Sequence, residues 1–192
     1  MDIILASTSR YRRALLARLV PDFACEPPGV DETPLPDEAP FDLALRLARA
    51  KAEAVAARYP GALVIGSDQV ASLQGRIQGK PGTLDAAAAQ LRASSGRRVA
   101  FHTGLAVVAP GIALDHVEPF HAHFRVLSEA DIGAYLGREP ALDCAGSFKV
   151  EGLGIALFTR LEGTDPTALE GLPLIALTGL LRQAGINVLN IS

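Results

Sequence analysis

The chain has 192 residues, 49% hydrophobic and 20% charged, with a formal net charge of -3. This composition excludes a disordered chain, and the length suits one domain, or one core with two lobes around a cleft. No apolar run approaches a membrane span of roughly 18 residues, and a pI near 5.8 argues against general nucleic-acid binding but not against a small polyanionic substrate.

The start, MDIILASTSR, is acidic at its second residue and polar after four apolar ones, unlike a secretory signal. Cys25 and Cys144 make neither a disulfide framework nor a metal knuckle, so a reduced, cytoplasmic compartment is expected. Only three of the 18 basic residues are Lys: Lys51, Lys80 and Lys149. Where Arg is the rule, a Lys points to a need for a compact, flexible charge rather than a planar fork.

In chain order, residues 3–6 predict a short buried strand, and residues 10–19 a helix. Leu15, Leu16 and Leu19 form its apolar stripe, with Ser7 or Ser9 as cap. The Pro- and acid-rich residues 25–40 predict a loop, and 41–59 a long helix ended by Pro60-Gly61. Residues 62–66 predict a strand, continued at 70–73 past a polar break, and 75–82 a turn region. A helix follows at 84–93, then strands at 98–108 and 113–126 joined near Pro110-Gly111. Ser128 and Asp131 form a capping box for a helix to about Leu136. A Gly-rich strand pair at 145–149 and 155–160 and a last helix at 173–184 complete the α/β chain, a mixed β-sheet with flanking helices.

The chemistry gathers first at residues 7–13. Serine hydroxyls, a helix N-terminus and the cations Arg10, Arg12 and Arg13 converge there. Cations at that end oppose the helix dipole, a conflict that a bound polyphosphate resolves. A solvated basic first turn is the alternative. Lys51 lies at the edge of the inward face marked by Leu43, Leu47 and Ala54, where it either snorkels to water or reaches a ligand. Asp68 follows the strand ALVIG, where α/β folds present catalytic groups; an Asx-turn is the plain alternative. Asp31 and Glu32 add carboxylates from the Pro-rich loop, and carboxylates beside phosphate-binding cations point to a divalent metal with oxygen ligands. Lys80 sits in the tight turn Gly79-Lys80-Pro81. His121 and His123 lack an evident third ligand for zinc. Cys144 reads as a small buried hydrophobe in a strand, and Gly152-x-Gly154 is too short for a dinucleotide fingerprint.

Six ordered strings, LASTSRYRRALL, VDET, RLARAKA, GSDQV, GKP and CAGSFKVEGLG, resemble the Maf family of nucleotide pyrophosphatases. The likeness runs nearly end to end, through the closing LEGTDPTALEGLPLIAL. It implies a Maf/ITPase-like fold with a central cleft between two lobes, formed by the whole chain as one domain. It also implies a hydrolase of acid anhydrides that cuts a nucleoside triphosphate between its α and β phosphates. Ser7, Arg12, Lys51 and Lys80 match the family's phosphate-binding set, Glu32 its acidic cleft residue and Asp68 its general base. Asp68 and Glu32 would hold a divalent cation such as Mg2+, Mn2+ or Co2+, and Ser9 and Arg13 would add substrate contacts. Gln69 and Glu151 resemble the subgroup that hydrolyses 7-methyl-GTP, where the UTP- and dTTP-cleaving subgroup carries Thr and Gln. Two positions depart from the pattern: Arg10 stands where the family usually has Pro, and Tyr11 where relatives carry Trp.

These residue types suit that reaction. A carboxylate at Glu151 accepts both the ring N–H and the exocyclic amine of guanine. Methylation makes the purine cationic, which favours an aromatic partner such as Tyr11. The expected partner is therefore a small nucleotide, with neither a nucleic-acid polymer nor a membrane. Relatives are often dimeric, so the resemblance also implies a homodimer, although no apolar stripe marks an interface. The competing readings are a UTP- or dTTP-type pyrophosphatase and a nucleotide-binding regulator linked to septum formation.

Overall fold

The computed structural model describes residues 1–191. In chain order it contains β1 (Ile3–Leu5), α1 (Arg10–Leu16), β2 (Ala24–Cys25), α2 (Pro40–Ala56), β3 (Leu63–Leu73) and β4 (Arg76–Gln78). Next come α3 (Leu84–Ser94), β5 (Arg98–Ala109), β6 (Ile112–Phe124), α4 (Glu129–Arg138), β7 (Phe158–Gly163) and α5 (Leu174–Gln183). Short 3-10 turns occupy Leu153–Leu157, Pro166–Glu170 and Val188–Asn190. The strands form one mixed sheet in the order β2-β1-β3-β5-β6-β7, with β4 also on β3. β1 pairs in parallel with β2 and β3, and the other pairs are antiparallel.

The polar break expected between residues 66 and 70 does not exist: Leu63–Leu73 is one strand, and within it only Gln69 escapes full burial. β5 accounts for the continuity, because it pairs with β3 from Val64 to Leu73. The other edge of β3 is shared. β1 takes Leu63–Ile65 and β4 takes Ala71–Leu73, so neither covers residues 66–70. The chain leaving β1 enters this gap from one end with Ser7. The chain leaving β4, which runs the opposite way, enters from the other end with Lys80. Asp68 lies between them.

Small residues bring α2 onto this region. A Cβ on Gly104 would lie 2.1 Å from the Ala44 carbonyl oxygen, and one on Gly66 would lie 2.3 Å from that of Ala48. Bare glycines under Ala44, Ala48 and Ala52 therefore set the helix closer than any side chain permits. Two larger cores flank the contact. One joins α1 and α5 to the sheet through Leu16, Ile65, Leu105, Leu177 and Leu181. The other joins α3 and α4 through Leu91, Phe101, Phe124, Ile132 and Phe148. β3 and β5 contribute to both.

Other departures have local causes. α1 stops at Leu16 because Arg18 and Leu19 donate to carbonyls only three residues back, tightening the chain out of the α-helix. Residues 145–149 form no strand: Gly146 and Ser147 have φ of 79° and 63°, in the left-handed region. The reversal turns Phe148 into an edge-to-face aromatic cluster with Phe101, Phe124 and Phe158. Residues 155–157 belong to a 3-10 turn, so β7 starts only at Phe158. The Ser128–Asp131 capping box is present as expected.

Candidate active site

Gly66, Asp68 and Val70 alternate onto the face of β3 that meets α2. Lys51 reaches the same point from α2. Its ammonium donates to Asp68 Oδ1 at 2.6 Å and lies 2.6 Å from Glu32 Oε1. Lys51 is only 4% exposed, so its expected alternative of snorkelling into water does not occur. Asp68 is buried, whereas the Glu32 side chain is half exposed. Glu32 comes from the loop before α2, which Arg46 fixes: its guanidinium binds both oxygens of Glu38 and the Thr33 carbonyl.

These groups open into a cleft of about 990 Å³, lined also by Ser7, Ser9, Arg12, Lys80 and Glu151. Ser7 Oγ accepts from the Ser9 amide, and Ser9 Oγ caps α1 by accepting from the Arg12 amide. Arg12 Nε donates to the Gly171 carbonyl at 2.8 Å, which anchors the guanidinium across the cleft. Burial pulls its pKa below the ordinary arginine value, with Asp68 and Glu32 opposing. For Glu32, burial favours the neutral acid, but Lys51, Lys80 and Arg12 together outweigh it and hold the carboxyl below its ordinary range. Lys80 is exposed, on a loop rather than the expected tight turn, and the Gln90 amide holds that loop through the Gly79 carbonyl. Three cations thus face two carboxylates. Arg13 stays outside: it is exposed, in the last turn of α1, and does not line the cleft.

The expected base-reading residues are placed differently from one another. Gln69 lines the cleft, but its amide nitrogen donates to the Ala168 and Leu169 carbonyls at 2.7 and 3.1 Å. Thr103 Oγ1 also donates to Ala168, and Ser67 Oγ to Gly171. The Pro166–Glu170 turn and Gly171 are therefore clamped from β3, β5 and Arg12, and the donor end of Gln69 is committed to the clamp. Tyr11 already has cationic company. The Arg10 guanidinium sits 4.8 Å from the ring centroid and donates to the hydroxyl, and Lys149 Nζ lies 5.9 Å from the centroid. Glu151 is exposed on the cleft wall. Its turn is held by Glu139, which accepts from the Gly154 amide, and by Tyr135, which accepts from the Lys149 amide.

Sequence reasoning missed Glu170. It lines the same cleft, and burial, then Glu151 and Asp165, raise its pKa above the ordinary carboxylate range, with Arg18 opposing. The only signal was its place in the closing string, where nothing in the local pattern links it to Glu151. Cys144 is half-buried in a turn on the cleft wall rather than in a strand. Burial, reinforced by Asp143, pushes its thiol up to about 11, so it is no thiolate at neutral pH.

A family profile described as "Maf-like protein" matches residues 2–184. A curated relative from Xanthomonas oryzae pv. oryzae, named 7-methyl-GTP pyrophosphatase, is 57% identical over 186 residues, covering 97% of this chain and 98% of that protein. Among solved structures, the Staphylococcus aureus Ham1 protein superposes with a TM-score of 0.54 at 16% identity, covering 96% of this chain and all of that one. This is a likeness of fold. A nucleoside-triphosphatase/dITP/XTP pyrophosphatase from Mycobacterium abscessus gives a TM-score of 0.43 at 17% identity, covering 96% and 97%.

Proposed function

The chain belongs to the Maf family, and we propose that it hydrolyses 7-methyl-GTP to 7-methyl-GMP and pyrophosphate, clearing a modified nucleotide in the cytoplasm. We read the whole chain as one domain for this purpose, acting as a homodimer. The substrate follows the 57% identical relative. The observation that carries the chemistry is the buried Lys51 ammonium, 2.6 Å from both Asp68 and Glu32 in a cleft with Arg12 and Lys80.

In this reading, Arg12 and Lys80 bind the phosphate chain, with Ser7 and Ser9 at its α1 end. A water attacks the α phosphorus in line with the bridging oxygen to the β phosphate. The new P–O bond forms as the Pα–O bond to pyrophosphate breaks, and Asp68 takes the water's proton. Lys51, Lys80 and Arg12 balance the charge that develops on the leaving pyrophosphate. Glu151 accepts from the guanine ring N–H and exocyclic amine.

A divalent cation fits this donor set. Glu32 and Asp68 each point an oxygen at one spot that already holds a positive charge. A hard cation with few protein ligands completes its shell with water and phosphate oxygens. When bound, it supplies Lewis-acid stabilisation of phosphate charge. Among the described residues no cluster of three or more His, Cys, Asp or Glu forms a metal-holding group.

The test is pyrophosphate release from a panel of nucleoside triphosphates, with 7-methyl-GTP, GTP, UTP and dTTP included. The expected result is preferential cleavage of 7-methyl-GTP. Preference for UTP or dTTP would move the chain to the pyrimidine-cleaving subgroup. No release from any nucleotide would favour the regulator.

A further inference from the structure

Lys51 holds a position that goes beyond charge balance. A lysine in a phosphate cleft is free to extend toward its ligand, but this one is folded between Glu32 and Asp68, with one oxygen of each at 2.6 Å. These are the two carboxylates that fit a divalent cation. The ammonium is enclosed, its side chain 5% exposed, and α2 fixes its base by the glycine contacts at Gly66 and Gly104. A metal ion approaching the two carboxylates therefore meets a resident positive charge already bonded to both.

We propose that Lys51 is the resident cation of the Glu32–Asp68 site, so that a divalent cation enters only together with the nucleotide, whose phosphates draw the ammonium away from the carboxylates. Two features support the exchange. The lysine stem is flexible at its tip, where a guanidinium fork is not. The cleft also offers the ammonium an anionic destination once a triphosphate is bound beside Arg12 and Lys80, both of which act on Glu32 electrostatically. The protein alone would then keep both carboxylates neutralised without metal, and metal affinity would be coupled to nucleotide affinity. This inference rests on the proposed placement of the phosphates but not on the identity of the base.

The test is Mn2+ binding to the intact protein, followed by electron paramagnetic resonance and calorimetry and requiring no turnover. Mn2+ alone should bind wild type weakly. An α,β-methylene triphosphate analogue should tighten it at least tenfold. Lys51→Met, close in length but uncharged, should tighten Mn2+ binding without nucleotide at least tenfold, and adding Glu32→Gln to it should remove that gain. Equal Mn2+ affinity with and without the analogue in wild type overturns the proposal, whether or not the variants fold. So does a folded Lys51→Met protein, verified by its melting transition, that binds Mn2+ no better than wild type. Failure of the nucleotide screen alongside the expected Mn2+ behaviour would instead indict the proposed reaction.

Discussion

Lys51→Arg keeps the charge but asks a planar five-donor fork to occupy an enclosed point between two carboxylates. We expect a loss of kcat/KM of at least tenfold with the fold retained, read by steady-state kinetics beside a thermal melt. Lys80→Arg is expected to be damaging too, but its exposed loop gives the longer group more room, so the smaller loss belongs there. Asp68→Asn should cost about 10²–10⁴ in rate. Most of the activity surviving would sink the catalytic assignment. Glu151→Gln should lower the ratio of 7-methyl-GTP to UTP cleavage, and an unchanged ratio would place base selection elsewhere. Gln69, by contrast, spends its amide nitrogen on the Ala168 and Leu169 carbonyls. The sequence marked it as a subgroup residue, but its partners lie about a hundred positions away, where no spacing argument reaches.

At the scale of elements, the site depends on how closely α2 lies against β3 and β5. Gly104→Ala drives a methyl to 2.1 Å from a backbone carbonyl, a neighbour that cannot rotate away. The helix must lift, carrying Lys51 with it. We expect destabilisation of about 1–3 kcal/mol, with a melting temperature lower by ~2–4 °C for each kcal/mol. Activity should fall further than stability alone explains. An alanine variant with wild-type melting and wild-type turnover would show that the close approach is not needed. Most elements were legible because their hydrophobic periods and caps are local: the capping box before α4 and the hairpin of β5 and β6 are examples. The continuity of β3 was not legible. Gly66-Ser67-Asp68-Gln69 reads as a break because polar and small residues rarely fill a strand. Pairing with β5 and the clamp onto residues 168–171 satisfy those groups instead.

For the whole molecule, acid stability should track the loop that carries Glu32. The bidentate Arg46 contact, set against burial, holds Glu38 at about 2, below its ordinary 4.5. A depressed carboxyl stabilises the fold at pH above its unfolded value and loses that contribution as pH falls through its folded value. The melting temperature should therefore drop between about pH 4.5 and 2, and Glu38→Gln should show a shallower drop over that window. Parallel curves would show that the Glu38–Arg46 pair contributes nothing. Net charge is a poor guide at this scale. A chain of formal charge -3 presents Arg12, Lys51 and Lys80 together in one cleft, so polyanion binding is decided by where the cations converge.

The sequence by itself determined the α/β class, the order of most elements and several residue types that line the cleft, because those rest on local period, caps and ordered strings. The rarity of Lys singles out Lys51, Lys80 and Lys149, of which Lys51 and Lys80 line the cleft. Only the tertiary structure decided that Lys51 bonds both Glu32 and Asp68, that Arg13 lies outside, that Arg10 and Lys149 attend the Tyr11 ring, and that Glu170 joins Glu151. The contacts of Lys51 with Glu32 and Asp68, and of Lys149 with Tyr11, are distances between segments apart in the chain. Such distances are set by sheet register and by the glycine-lined seat of α2, which no stretch of sequence encodes alone.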